Sequence, residues 1–237
     1  MTRFALAALL LSLAPVSWAD DKKPAEEKIA GPDGLSLVVR MQGPYDADVP
    51  LQVVCYFKPM KGGDKLQGAP VELDKRLGGV IANLRTRGEF VGDELETIVL
   101  DTGGKIPAKQ LLLIGIGDQE SLTLDRMERV GRVAYREAAK LGAAKVAFAP
   151  LVRDQGNATF STGDVARSVV RGMLLARDTD SRLQKERLSK QFVLSEWVEE
   201  AGPDFYQETI AAAKAAVGEA ATAVGKRSIA PFANPAE

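Results

Sequence analysis

The sequence contains no histidine, and this absence excludes the most common kinds of catalytic and metal chemistry. Histidine is the commonest metal ligand and the side chain that most readily changes its charge near neutral pH. A Ser-His-Asp triad and a zinc site built on imidazole are therefore both excluded. We expect no bound metal ion and no cofactor.

The sequence also lacks an excess of either charge. It has 31 Lys and Arg against 32 Asp and Glu, a formal net charge of −1, and the two signs are interspersed along the chain. Nucleic acids and anionic lipid surfaces are bound through clustered basic residues, so we expect no nucleic-acid partner. The proportions of 46% hydrophobic and 27% charged residues are those of an ordinary globular protein.

No hydrophobic run in the sequence is long enough to span a bilayer. The run from Phe4 to Val16 has about 13 residues, whereas a membrane helix needs about 20. It follows Arg3 and precedes Ser17-Trp18-Ala19, which matches the small-x-small pattern of a signal-peptide cleavage site. We interpret residues 1–19 as a cleaved signal peptide, with a membrane anchor as the alternative. The expected location is periplasmic or secreted, with no membrane contact after cleavage.

Cysteine is nearly absent, which excludes an internal disulfide framework. Cys55 lies within an apolar run and is most simply a small buried hydrophobic residue. Residues 20–34 are charged, contain two prolines and show no periodicity, so they predict a flexible lead-in.

The remaining sequence alternates strand-like and helix-like patterns, which predicts a layered α/β domain. The predicted strands cover residues 35–41, 51–57, 96–100, 110–116, 145–149 and 191–197, and the predicted helices cover residues 73–84, 123–142, 161–177 and 204–224. Two strands are apolar at consecutive positions, which favours a sheet covered on both faces. We expect a three-layer α/β/α sandwich with a mixed, mostly parallel sheet over residues 35–200, followed by a C-terminal helix and a truncated linker over residues 201–237.

The run from Val71 to Gly92 has an apolar-acidic start, a Gly78-Gly79 pair and an Arg-Gly-Glu-Phe exit. In these features it resembles the first helix of the N-terminal domain of leucyl aminopeptidases, peptidase family M17. Further segments resemble the same domain in the same order, namely residues 96–100, 109–117, 132–145, 172–180 and 220–235. The resemblance implies a macro-domain-like fold.

The resemblance does not extend to the peptidase chemistry. In that family a separate C-terminal domain holds two metal ions around an Asn-Thr-Asp-Ala-Glu-Gly-Arg motif, and this motif is absent from all 237 residues. The same domain contains Asp-Thr-Gly-Gly with a metal-binding aspartate. Here Asp101-Thr102-Gly103-Gly104 lies between two predicted strands, so we interpret it as a turn.

Two glycine pairs are candidates for a ligand site. Gly78-Gly79 lies inside a predicted helix, and we interpret it as a point of close helix packing. Gly115, Gly117 and Asp118 end a buried strand, where open α/β sheets bind ligands. The loop after the next strand adds Arg153, Asp154 and Asn157, and these six residues form the predicted ligand crevice; a plain strand-to-helix turn is the alternative.

Three functions remain open at this point. The first is an exported, non-catalytic, stand-alone aminopeptidase N-terminal domain that acts in binding or assembly, either with a separately encoded peptidase or by self-association. The second is a macro-type module that binds a nucleotide or peptide at the predicted crevice. The third is a component of a metallo-aminopeptidase, which the missing metal motif disfavours.

Overall fold

The computed structural model describes residues 23–60 and 66–227, and its middle layer is a seven-stranded sheet. The predicted signal peptide and the last ten residues of the predicted linker lie outside the described residues. The strands are β1 (Glu26–Ala30), β2 (Ser36–Arg40), β3 (Leu51–Tyr56), β4 (Thr97–Asp101), β5 (Gln110–Gly115), β6 (Lys145–Ala149) and β7 (Glu196–Glu200). Their spatial order is β1-β2-β7-β6-β3-β5-β4. The outer pairs β1–β2 and β4–β5 are antiparallel, and the other neighbours are parallel.

Helices cover both faces of this sheet. They are α1 (Ala69–Arg76), α2 (Val80–Thr86), α3 (Leu124–Leu141), α4 (Thr162–Lys185) and α5 (Tyr206–Gly225). Apolar side chains of α3, α4 and α5 form one core with the sheet, and those of α1 and α2 form a second core on the opposite face. The predicted three-layer sandwich with a mixed, mostly parallel sheet is confirmed.

Burial on both faces of the sheet explains the consecutive apolar residues of β5, as predicted. Residues 111–114 of β5 are all fully buried, because helices cover both faces of this strand. Cys55 in β3 is also fully buried, and burial raises the pKa of its thiol well above the ordinary value. Asp101-Thr102-Gly103-Gly104 forms the predicted turn, with Gly103 and Gly104 at positive φ and the Gly103 N–H donating to Asp101 Oδ1 at 2.8 Å.

The prediction of a flexible lead-in is wrong for residues 26–30, which form the edge strand β1. This strand pairs with β2 only, so most of its residues remain exposed and can be charged. Ile29 is its one buried side chain, while Glu26 forms an ion pair with Arg40 at 3.0 Å. The charged residues that indicated a flexible lead-in therefore belong to the exposed part of an edge strand.

Gly78 and Gly79 do not lie inside a helix, contrary to the prediction; they separate α1 from α2. Both have positive φ, of 78° and 79°, which ends the helical path of α1. The Gly79 N–H donates to the Asp74 carbonyl at 2.8 Å, and Asp74 Oδ1 accepts the Ile81 N–H at 2.8 Å. The pair is thus a turn between two short helices rather than a packing contact.

The last strand is displaced from its predicted position. It was predicted at residues 191–197, but β7 covers Glu196–Glu200 and ends in two buried carboxyl groups. Val193, near the start of the predicted strand, is 67% exposed. The charges of Glu199 and Glu200 indicated the end of a strand, whereas both residues belong to it.

Close packing of helices instead depends on Gly131 in α3 and Gly172 in α4. A Cβ atom at Gly131 would collide with the Val169 carbonyl oxygen, and one at Gly172 would collide with the Glu128 carbonyl oxygen. Because the obstructing atoms are backbone, a larger residue would force the two helices apart.

We expect Gly172→Ala to lower the free energy of unfolding by about 2 kcal/mol or more, because the added methyl group overpacks the contact between α3 and α4. Gly218→Ala is the matched control, since Gly218 lies in α5 with nothing within 4 Å of an added Cβ. That change should leave stability unchanged or raise it by up to about 1 kcal/mol through helix propensity. Urea unfolding of both variants measures the difference, and equal stability of Gly172→Ala and wild type would contradict the packing role.

Candidate functional site

A cleft of about 630 Å³ opens at the carboxyl ends of β2, β6 and β7. We call it the strand-end cleft; it is lined by residues 41–45 after β2, 149–154 at the end of β6, 200–203 and 205 at the end of β7, 67–69 at the start of α1, and residues 160–162 and 165 around the start of α4. Carboxyl ends of parallel strands are where open α/β sheets generally place ligands, because the chain leaves the sheet there in loops. The cleft therefore occupies the position that the fold favours for binding.

Glu200 is the most distinctive side chain of the strand-end cleft. It ends β7 and is only 7% exposed. Gln42 Nε2 donates to one carboxyl oxygen and Gln52 Nε2 to the other, both at 2.7 Å. Burial raises the pKa of Glu200 to about 7, while the glutamine amides and the charge of Arg40 oppose this rise and Asp46 adds to it.

The neighbouring carboxyl group, Glu199, points to the other face of the sheet. It shares that face with Trp197, whose Nε1 donates to Glu199 Oε2 at 2.8 Å, and the other carboxyl oxygen has no hydrogen-bond partner among the described residues. Burial raises the pKa of Glu199 to about 8. Glu199 does not line the strand-end cleft, so adjacent residues place one carboxyl at the cleft and one in the core.

Asp154 is a second, partly buried carboxyl of the strand-end cleft. Burial raises its pKa above the ordinary value, and the N–H groups of Ala69 and of Asp154 itself oppose the rise. The Asp154 carbonyl accepts the Gln67 N–H at 2.9 Å. A Cβ atom at Gly68 would lie 2.9 Å from Asp154 Oδ1, so glycine allows this loop to approach the carboxyl closely.

Arg153 supplies a cation at the same cleft, but its guanidinium group is engaged elsewhere. The group lies 5.1 Å from the centre of the Phe205 ring, and Nε donates to Thr162 Oγ1 at 3.2 Å. Arg153 and Asp154, two of the predicted site residues, both line the strand-end cleft.

Gly115, Gly117 and Asp118 do not line the strand-end cleft. A Cβ atom at Gly115 would collide with the Asp93 carbonyl oxygen, and the Gly117 N–H and carbonyl are bonded to Gly92 and Lys58. The Arg126 guanidinium donates to the carbonyls of Ile116 and Asp118 at 3.0 and 3.4 Å, which fills the end of this strand.

Asn157 joins the two halves of the predicted crevice at a packed contact. Its Nδ2 donates to the Gln119 carbonyl at 3.0 Å, and its Oδ1 accepts the Thr159 N–H at 3.0 Å. Asn157 is 4% exposed and is therefore a link between loops rather than part of an opening.

Sequence reasoning missed Glu200, together with Gln42 and Gln52. The available signal was the run Glu196-Trp197-Val198-Glu199-Glu200, in which two apolar residues continue directly into two carboxyls. Its charge favoured a strand end, because buried carboxyls are rare.

The described residues contain no group of three or more His, Cys, Asp or Glu side chains arranged to hold a metal ion. Within the same residues, no helix combines the length and apolar character needed to cross a membrane. The polar groups that line the strand-end cleft are two carboxyls, the Arg153 guanidinium, glutamine amides and the hydroxyls of Tyr45, Ser161 and Thr162, beside an apolar wall.

Comparison with known proteins identifies the sequence relationship. The family model described as the N-terminal domain of the cytosol aminopeptidase family matches residues 53–187, more than half of the chain. A probable cytosol aminopeptidase of Thermosynechococcus vestitus is 31% identical over 119 residues, covering 48% of this chain and 22% of the relative. One of Geobacter sp. (strain M21) is 28% identical over 158 residues, covering 65% of this chain and 31% of the relative. The matched part thus spans less than a third of these relatives.

Solved structures show the same fold at low sequence identity. A tomato leucine aminopeptidase mutant superposes with a TM-score of 0.56 at 16% identity, covering 83% of this chain and 38% of that chain. An Oceanobacillus iheyensis macrodomain with ADP superposes with a TM-score of 0.55 at 13% identity, covering 84% of this chain and 100% of that chain. The aminopeptidase match extends over only part of the enzyme, in agreement with the family model. The chain therefore belongs to the cytosol aminopeptidase family and contains that family's N-terminal domain.

Proposed function

We propose that this protein is an exported, non-catalytic binding domain whose small ligand occupies the strand-end cleft. The observation that carries the proposal is Glu200, a buried carboxyl held between two glutamine amides at the wall of the cleft. Of the predicted functions, this one combines the aminopeptidase N-terminal domain with the small-ligand module.

The cost of burying Glu200 supports a binding role. Taking a carboxyl group out of water is unfavourable unless hydrogen bonds or charges compensate for it, and an apolar residue would close a sheet at lower cost. Two amide donors from β3 and from the segment after β2 hold this carboxyl instead. Perturbed carboxyl groups at a cleft are typical of functional sites.

The non-catalytic part of the proposal rests on what the family resemblance covers. The match is to the N-terminal domain alone, and the Asn-Thr-Asp-Ala-Glu-Gly-Arg motif is absent from the sequence.

We expect at least one small-molecule probe to bind in the strand-end cleft. Calorimetric titration with ADP, ADP-ribose, a dipeptide and phenethylamine tests anionic, zwitterionic and cationic ligands. Gly202→Trp should abolish binding, because Gly202 lines the cleft with extended backbone and a Cβ atom there would meet only Phe205, at 3.9 Å. The added indole would therefore occupy the cleft without backbone strain.

Gly218→Trp is the control for that substitution, since it adds the same side chain to an exposed position of α5. It should bind the probe as wild type does. The same preparations should show no hydrolysis of leucyl amides above background. If no probe binds wild type, the cleft proposal fails, and a role in assembly with a separately encoded peptidase or with a second copy takes its place.

Export has its own test. The signal-peptide pattern of residues 1–19 leads us to expect that the protein isolated from its native envelope begins at Asp20. Intact-mass measurement of that protein checks the cleavage, and a cytoplasmic protein that retains Met1 would contradict export. A protein in the envelope that retains residues 1–19 would instead favour an anchor.

A further inference from the structure

We infer that the ligand of the strand-end cleft is an organic cation, with a primary ammonium group against Glu200 and an apolar body along the cleft wall. This inference rests on the proposed function and specifies its ligand class. It follows from the charges, the unused hydrogen-bond acceptors and the apolar lining of the cleft.

The charge of the strand-end cleft favours a cation. Its charged lining residues are Asp154, Glu200 and Arg153, so carboxyls outnumber the guanidinium. Arg153 is also directed to the Phe205 ring and to Thr162. An ammonium group would replace the water that the partly buried carboxyls lose, and it would favour their ionised forms.

The hydrogen-bonding capacity around Glu200 leads to the same conclusion. Each of its oxygens accepts one amide N–H, although an ionised carboxylate offers about four acceptor positions. A surplus of acceptors needs a donor, and an ammonium group supplies three.

Phosphate and other anions lack a comparable site here. A helix N-terminus binds phosphate through its free N–H groups, and α4 begins at the strand-end cleft. Two of these groups are already bonded: the Asp164 N–H donates to Ser161 Oγ at 3.0 Å, and the Gly163 N–H donates to Glu208 Oε1 at 2.7 Å. The Glu208 carboxylate adds negative charge where a phosphate would have to lie.

The rest of the strand-end cleft suits an apolar body attached to that cation. Its lining includes the apolar residues Met41, Pro44, Leu151, Phe160 and Phe205. Small-molecule sites commonly combine such a wall with a few polar groups that fix the orientation of the ligand. A ligand with both parts would use the whole cleft.

Three probes with the same phenylethyl body and different head groups test the sign of the charge. Phenethylamine carries an ammonium, 2-phenylethanol a neutral hydroxyl and 3-phenylpropionate a carboxylate. Calorimetric titration of the wild-type protein should show binding of phenethylamine at least about tenfold tighter than binding of either other probe, as expected for a charge-assisted hydrogen bond.

Glu199 and Glu200 are adjacent in the chain, so the same substitution at each gives a test variant and its control. Glu200→Gln removes the charge at the strand-end cleft and should weaken phenethylamine binding at least about tenfold. Glu199→Gln removes the neighbouring charge on the other face of the sheet and should change the affinity by less than about twofold, because Glu199 does not line the cleft. If Glu200→Gln fails to fold, Asp154→Asn tests the second carboxyl and should also weaken binding.

The outcomes separate this inference from the proposed function. Tighter binding of 3-phenylpropionate or ADP, lost in Gly202→Trp, would overturn the cation and leave the cleft as a ligand site. Equal affinity for phenethylamine and 2-phenylethanol, or equal weakening by Glu199→Gln and Glu200→Gln, would also overturn it. Absence of binding by every probe in the panel would overturn both.

Discussion

Covering of the central strands by helices on both faces is the constraint on which the structure depends. Beyond the first residues of β5 and β6, the side chains of β3, β5 and β6 are buried, so these strands are almost entirely apolar. The polar side chains that a ligand could reach lie near the strand ends, where the chain leaves the sheet. The strand-end cleft lies at three of these ends and brings together segments far apart in the sequence.

The last two residues of β7 are carboxyls whose environments differ because they lie on opposite faces of the sheet. Glu199 lies between the sheet and the helices α3 to α5, with one indole N–H as its partner among the described residues. That environment favours its protonated form. Glu200 lies on the other face, where both of its oxygens accept N–H groups and the cleft gives access to a ligand. Of these two carboxyls, only Glu200 combines burial, hydrogen bonds to both oxygens and a place at the cleft.

Much of the fold could be predicted from the sequence because local patterns and burial agree there. The helix predicted over residues 123–142 is α3, which Thr123 caps at the start and Gly142 at the end, and the apolar runs of β5 and β6 are buried strands. The predictions were wrong where tertiary contacts decide the structure. The charges of β1 are accommodated by an exposed edge, and Gly78-Gly79 adopts a left-handed turn that helix periodicity does not reveal.

The candidate site was less accessible to sequence reasoning. Arg153 and Asp154 lie in the loop after β6, and the structure places both at the strand-end cleft, where the rule for strand ends expects lining residues. Gly115 and Gly117 satisfy the same rule, but loop 92–96 and Arg126 fill the space beyond them. Glu200 depends on Gln42 and Gln52, which lie about 150 positions away in the chain. No local pattern shows that those three side chains meet.

The central claim is that Glu200 is a buried carboxyl whose ionisation is coupled to a cationic ligand. Carbon-13 NMR of the side-chain carboxyl, assigned by its loss in Glu200→Gln, measures its pKa with and without phenethylamine. The pKa should be about 7 in the free protein, against an ordinary value of 4.5. It should fall when phenethylamine binds, because the ammonium stabilises the ionised form. An ordinary pKa in the free protein, or one that saturating phenethylamine leaves unchanged, would contradict the claim.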